Sequence, residues 1–191
     1  MAPGLDLLLT RRSVPPALLQ PPGPDEEALR AMLTAAVRVP DHGKLAPWRL
    51  ILFSGEARAE FGAVLAAAFR TANPAASEAQ IAFERERLSR APLVVAVVSS
   101  PKEHPKVPEW EQRLSAASVC LNLLHAAHAL GFGASWITEW YAYDDRVRGA
   151  LKLATNERVA GFVYVGTARS RPPERPRPAL EEVVEEWKSP T

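Results

Sequence analysis

The chain of 191 residues has one cysteine, Cys120, which excludes an internal disulfide and a multi-cysteine metal site and suits a reducing compartment. It has no apolar run of membrane-spanning length. Its N-terminus lacks the basic region, apolar core and small-residue cleavage site of a secretory leader, so a cytoplasmic location and no membrane partner are expected. A net charge of +1 leaves no basic excess, which argues against nucleic acid as a partner. There is no Walker-type loop. Gly131-Phe132-Gly133 lacks the third glycine of a dinucleotide fingerprint, since Trp136 stands there, and it closes a helix where that fingerprint opens one. No serine sits in a nucleophile elbow. His125 and His128 are three residues apart without a third donor one turn away, so packing or an interface explains them better than a metal, and no metal site is expected.

What remains is an ordinary globular composition, 47% apolar and 24% charged, in a length that fits one domain. Eighteen prolines against ten glycines make the connections stiff. A short helix is expected over 5–12, with Arg11 and Arg12 at its C-terminal end, where cations complement the helix dipole. Asp25-Glu26-Glu27 opens a second helix, whose apolar face is Leu29, Met32, Leu33, Ala36 and Val37. Strands are expected over 48–53, 92–98, 134–138 and 159–165, the second apolar throughout and so central, the last closed by a turn at Gly166-Thr167. Helices fill 56–70, 77–89 (with a Ser77/Gln80 capping box), 109–130 and 144–151. From Leu114 to Leu130 the long helix is apolar nearly all round, a pattern that needs cover on every side and implies a subunit interface. A proline-rich arm over 171–178 is extended and leads to an apolar face of Leu180, Val183, Val184 and Trp187 that another subunit could bury. Helices interleaved with four strands give a layered α+β or α/β domain.

Between the second helix and first strand lies Val39-Pro40-Asp41-His42-Gly43-Lys44-Leu45-Ala46-Pro47-Trp48, where periodicity fails and many side-chain chemistries gather. Pro40 and Pro47 disfavour helical backbone at Val39 and Ala46, so an extended, stiff loop is expected, able to hold a site or merely to close a helix. Arg11-Arg12-Ser13 has the donors a phosphate needs, though cations ending a helix are an equally good reading on spacing alone. Arg38, His42 and Lys44 would favour the anion site if the fold brought them near.

Five segments occur in one order: Arg11-Arg12-Ser13, the Arg38 to Trp48 loop, Lys106-Val107-Pro108-Glu109-Trp110-Glu111, Leu130-Gly131-Phe132-Gly133-Ala134, and Gly161 to Thr167. Together they resemble the nitroreductase family of FMN-dependent oxidoreductases, in its small YdjA-type subgroup. The resemblance implies an α+β (αβα) sandwich, with a mixed, mainly antiparallel sheet flanked by helices. It implies one FMN-binding domain over 1–178, an intertwined homodimer with FMN at its interface, and an arm over 172–191 lying on the partner subunit. It places Arg11, Arg12 and Ser13 on the ribityl and phosphate groups of FMN, with Arg38 and His42 as further contacts. Trp136, Ile137 and Thr138 would line the flavin from the other subunit, Ile137 through backbone only. Gly166 and Thr167 would form a turn near the phosphate, helped by Arg169 or Arg171. The implied activity needs no catalytic side chain: NADH or NADPH reduces the flavin and leaves, and a nitroaromatic, quinone or similar acceptor takes the electrons, in ping-pong fashion. A flavin carrier or sensor without turnover, a flavin enzyme with one specific non-nitro substrate, and a dimeric interaction module without cofactor stay open as alternatives.

Overall fold

Local chemistry starts most elements where the residues call for it. The computed structural model describes residues 3–189. In chain order they form α1 (Pro3–Thr10), β1 (Leu19–Gln20), α2 (Glu26–Ala36), β2 (Trp48–Ser54), α3 (Ala57–Ala72), α4 (Glu78–Arg85) and β3 (Leu93–Ser99). Then follow α5 (Glu109–Ala129), β4 (Gly133–Ile137), α6 (Asp145–Ala150), β5 (Arg158–Ala168) and α7 (Leu180–Val183). The Asp25 carboxylate accepts the Ala28 N–H at 2.8 Å and opens α2. Ser77 and Gln80 close the expected reciprocal capping box on α4, and Asp144 accepts from Arg146 and Val147 to start α6. Gly131, at φ 84°, ends α5: its N–H reaches the His128 carbonyl and that of Phe132 reaches Ala127, the paired bonds of a Schellman cap.

The five strands form one sheet in the order β1-β5-β3-β2, with β4 also paired to β5, and every pairing is antiparallel. β3 is buried along its whole length, as its unbroken apolar run requires. Such a run is commonest in parallel sheets; here it arises because helices cover both faces. Val94 and Ala96 join Phe53, Phe162 and Tyr164 under α3 and α6, with Phe61, Leu65 and Val147. Val95 and Val97 join Val163 and Val165 under α2 and α5, with Met32, Val119, Leu123 and Ala127. The result is the αβα sandwich.

Three expectations need correction. The first helix stops at Thr10, so Arg11 and Arg12 stand beyond it. Gly166 and Thr167 are not a turn: β5 continues to Ala168, pairing Gly166 with Gly133 and Thr167 with Gln20. Gly166 is needed there because a Cβ would meet Pro92 at 2.6 Å, a close approach within a strand and not a reversal. The proline-rich connector hides β1, too short to leave a periodic signal. On α5, Ala116, Val119, Cys120, Leu123 and Leu124 are buried, while Trp110, Leu114 and Leu121 remain 67%, 48% and 43% exposed, the apolar face for which the sequence implied cover by another subunit. Burial pushes the Cys120 thiol up to about 12, so it is an inert core group. Among the described residues no helix is long and apolar enough to cross a membrane.

Candidate functional site

The loop over 39–48 is a fixed turn, not the extended segment its prolines suggested. Both oxygens of Asp41 are engaged, by the amides of Leu45 (3.0 Å) and Ala46 (2.8 Å), and these bonds bend the chain through one 3-10 turn, His42–Lys44. Gly43, Lys44 and even Ala46 take positive φ values of 75°, 55° and 45°. At two non-glycine residues this is strain that local bonds must hold, costing about 1–3 kcal/mol each. The loop after β3 and the face of α5 brace it: the Lys102 ammonium donates to the Leu45 carbonyl, the Ser115 hydroxyl to the Pro40 carbonyl, and the Asn122 amide to the Arg38 carbonyl at 3.0 Å. His42 Nδ1 lies 2.7 Å from Glu111 Oε2, near the start of α5. Arg38 is exposed at the end of α2.

A second set gathers where α1 ends. Arg11 donates to Ser13 Oγ at 3.4 Å, Arg171 Nη2 donates to the Thr10 carbonyl at 3.0 Å, and Arg12 Nη1 lies 3.6 Å from Glu174. Of the two arginines considered after β5, Arg171 lines this site and Arg169 does not. Arg11, Arg12, His128, Gly131, Gly133 and Arg171 are among the residues around a cavity of about 220 Å³. Burial, then the charges of Arg177, Arg12 and Arg175, lower the Arg11 pKa, against which Glu174 alone acts. Arg12 Nη1 is buried with no hydrogen-bond partner. This is a cationic pocket short of an anion.

His128 is a packing group. His128 Nδ1 and Nε2 each lie 2.8 Å from a carbonyl oxygen, of Leu124 and Arg12, so this ring ties α5 to the Arg12 loop. Burial, Arg11 and His128 lower the His125 pKa. Among the described residues no group of three His, Cys, Asp or Glu could hold a metal ion.

Gly166 and Thr167 adjoin this pocket through Gly133 and Ala168, but the Thr167 hydroxyl is spent on the Pro22 carbonyl at 2.7 Å. Trp136 lies farther along β4, its Nε1 donating to the Ala160 carbonyl at 3.1 Å, while Ile137 packs into the core and Thr138 is exposed. Arg38 and His42 are not brought to the arginines at all. Glu111 and His128 mark the two sets on α5, and seventeen residues at the helical rise separate them by about 25 Å. Glu174 approaches Arg12, and the charges of Arg175 and Arg177 act on Arg11, without any sequence signal beyond the arm's charge.

An antiparallel sheet between two helical layers, with arginines gathered where α1 ends, is the frame these residues build. The Nitroreductase family profile matches residues 8–167. Over 163 residues the chain is 36% identical to the Escherichia coli (strain K12) protein named "Putative NAD(P)H nitroreductase YdjA", covering 85% of this chain and 87% of that one. The chain belongs to the nitroreductase family. Its fold is shared with a nitroreductase-like family protein from Bacillus cereus (TM-score 0.79, 19% identity, covering 99% and 98% of the two chains). It is shared as well with a nitroreductase with bound FMN from Bacteroides fragilis NCTC 9343 (TM-score 0.71, 20% identity, 98% and 100%).

Proposed function

We propose that the protein is an FMN-dependent oxidoreductase that draws electrons from NADH or NADPH and works as a homodimer. The observation that carries this reading is the arginine pocket at the end of α1. A phosphate monoester would give the buried Arg12 Nη1 the acceptor it lacks and offset the crowding of positive charge on Arg11. Arg11, Arg12 and Arg171, which line the cavity, and Ser13, bonded to Arg11, would hold that phosphate. When bound, FMN supplies the redox chemistry, hydride in from the nicotinamide and out to a flat, electron-poor acceptor such as a nitroaromatic or quinone, in ping-pong order. The chain's part is to bind, orient and shield.

Size and distance support the dimer. A cavity of about 220 Å³ is smaller than the roughly 300–1,000 Å³ of typical small-molecule sites, so one chain encloses only the phosphate end. A flavin that meets both the arginine pocket and the Arg38/His42 loop takes the second from another copy, across the uncovered face of α5. Trp136, Ile137 and Thr138 would approach the ring from that other copy, Ile137 by backbone alone because its side chain is in the core.

The test is absorbance during anaerobic titration with each nicotinamide. The protein is expected to be yellow, to release FMN by mass spectrometry, and to bleach with NADH or NADPH. Protein that stays colourless with added FMN would sink the reading; a yellow protein that neither nicotinamide bleaches would be a carrier.

A further inference from the structure

The arm after β5 carries one acid in a run of cations, Arg171-Pro172-Pro173-Glu174-Arg175-Pro176-Arg177. Glu174 Oε1 lies 3.6 Å from Arg12 Nη1 and 3.6 Å from Arg177 Nη2, and accepts the Arg175 backbone N–H at 2.9 Å. Both guanidinium contacts are longer than a hydrogen bond, so the acid lends its charge to Arg12 without satisfying it. Among the described residues no other carboxylate pairs with Arg11, Arg12, Arg171, Arg175 or Arg177. The two partners differ in freedom: the Arg12 side chain is 14% exposed and the Glu174 side chain 59%. The arginine is built in; the acid can leave.

We propose that Glu174 is the pocket's resident substitute for phosphate, displaced when a phosphate monoester enters, so that this residue sets how tightly the phosphate is held. A carboxylate and a phosphate offer guanidinium the same forked pair of oxygens, but the phosphate brings more charge and shorter bonds. Glu174 therefore competes weakly, and losing it frees cations that are already positioned. The proposal rests on reading the pocket as the phosphate end of a flavin site.

The test uses the full-length apoprotein, titrated calorimetrically with FMN, riboflavin and inorganic phosphate, as wild type, Glu174→Gln and Glu181→Gln. Glu181, in α7, loses the same charge on the same arm, away from these arginines. Glu174→Gln is expected to tighten FMN and inorganic phosphate by about two- to fivefold, the scale of an exposed ion pair, and to leave riboflavin unchanged. Glu181→Gln should change none of them. Equal FMN affinity in Glu174→Gln and wild type would overturn the proposal, as would an equal gain in Glu181→Gln or weaker binding in Glu174→Gln. Wild type that binds riboflavin as tightly as FMN would overturn the phosphate reading, and the proposal with it.

Discussion

Arg11 follows the last residue of α1, yet the cation that meets that helix's final carbonyl is Arg171, at Thr10. This frees the Arg11 side chain for a ligand, and the two roles differ in what substitution does. Loss of a charge-assisted phosphate contact should cost about 1.5–3 kcal/mol, so Arg11→Ala is expected to weaken FMN about tenfold to a hundredfold by fluorescence quenching. Arg11→Lys keeps the charge but not the fork, and should recover part of that loss. Unchanged FMN affinity with earlier melting would make Arg11 a structural residue. Glu157 makes a different kind of prediction. Arg49 Nε and Nη2 each donate to its carboxylate at 2.8 Å, and the Ala154 amide adds a bond at 3.0 Å. Chiefly through the Arg49 hydrogen bonds, its pKa is pulled down to about 2. A carboxyl depressed in the folded state stabilises above its unfolded pKa and loses that contribution as pH falls through the folded one. Because Arg49 is partly open to solvent, the contribution is about 1–3 kcal/mol. Glu157→Gln should therefore unfold earlier in urea at pH 7, the difference shrinking between about pH 5 and pH 2.

Elements are positioned here by close backbone approach as well as by burial. β4 lies against β5 with the Trp136 indole over Gly161, where a Cβ would stand 1.9 Å from Nε1. Its N–H is bonded to the Ala160 carbonyl, so moving the ring aside breaks that bond. Gly161→Ala is expected to destabilise by about 1–3 kcal/mol, as overpacking does, and to shift tryptophan emission as Trp136 moves. A melting temperature equal to wild type would mean that the ring has another place to go. Beyond β4, Arg87 grips the next segment: it donates to Glu84 from Nε at 2.7 Å and from Nη2 at 2.8 Å, and also pairs with Glu139, while Trp140 Nε1 donates to Glu84 at 2.8 Å. This network fixes the exit from β4, one residue after Thr138.

For the whole molecule, the exposed stripe of Trp110, Leu114 and Leu121 on α5 is joined by Leu5, Leu8 and Leu9 on α1 and by Leu180 to Trp187 on the arm. Apolar surface of this extent is covered in solution or aggregates. The proposed homodimer covers it, and an interface that replaces a missing core should not come apart without unfolding. In sedimentation velocity at micromolar concentration the wild type is expected as a dimer, and Leu114→Asp with Leu121→Asp should break it. A folded wild-type monomer would defeat this.

Local chemistry was legible in the residues: the Asp25 and Asp144 caps, the Ser77/Gln80 box, the glycine end of α5 and the buried run of β3 all depend on near neighbours in the chain. So was the family, because five short segments in one order survive without any knowledge of contacts. The turn at Gly43 and Ala46 was not legible, since proline's steric rule was overridden by Asp41 reaching four and five residues ahead. The direction of the strands came through the family resemblance alone, because apolar residues covered on both faces look alike in either direction. The arginine pocket needed the tertiary structure most: Arg12, His128, Arg171 and Glu174 meet across more than a hundred residues, and only packing α1 and the arm against α5 and β4 gathers these cations at a helix end.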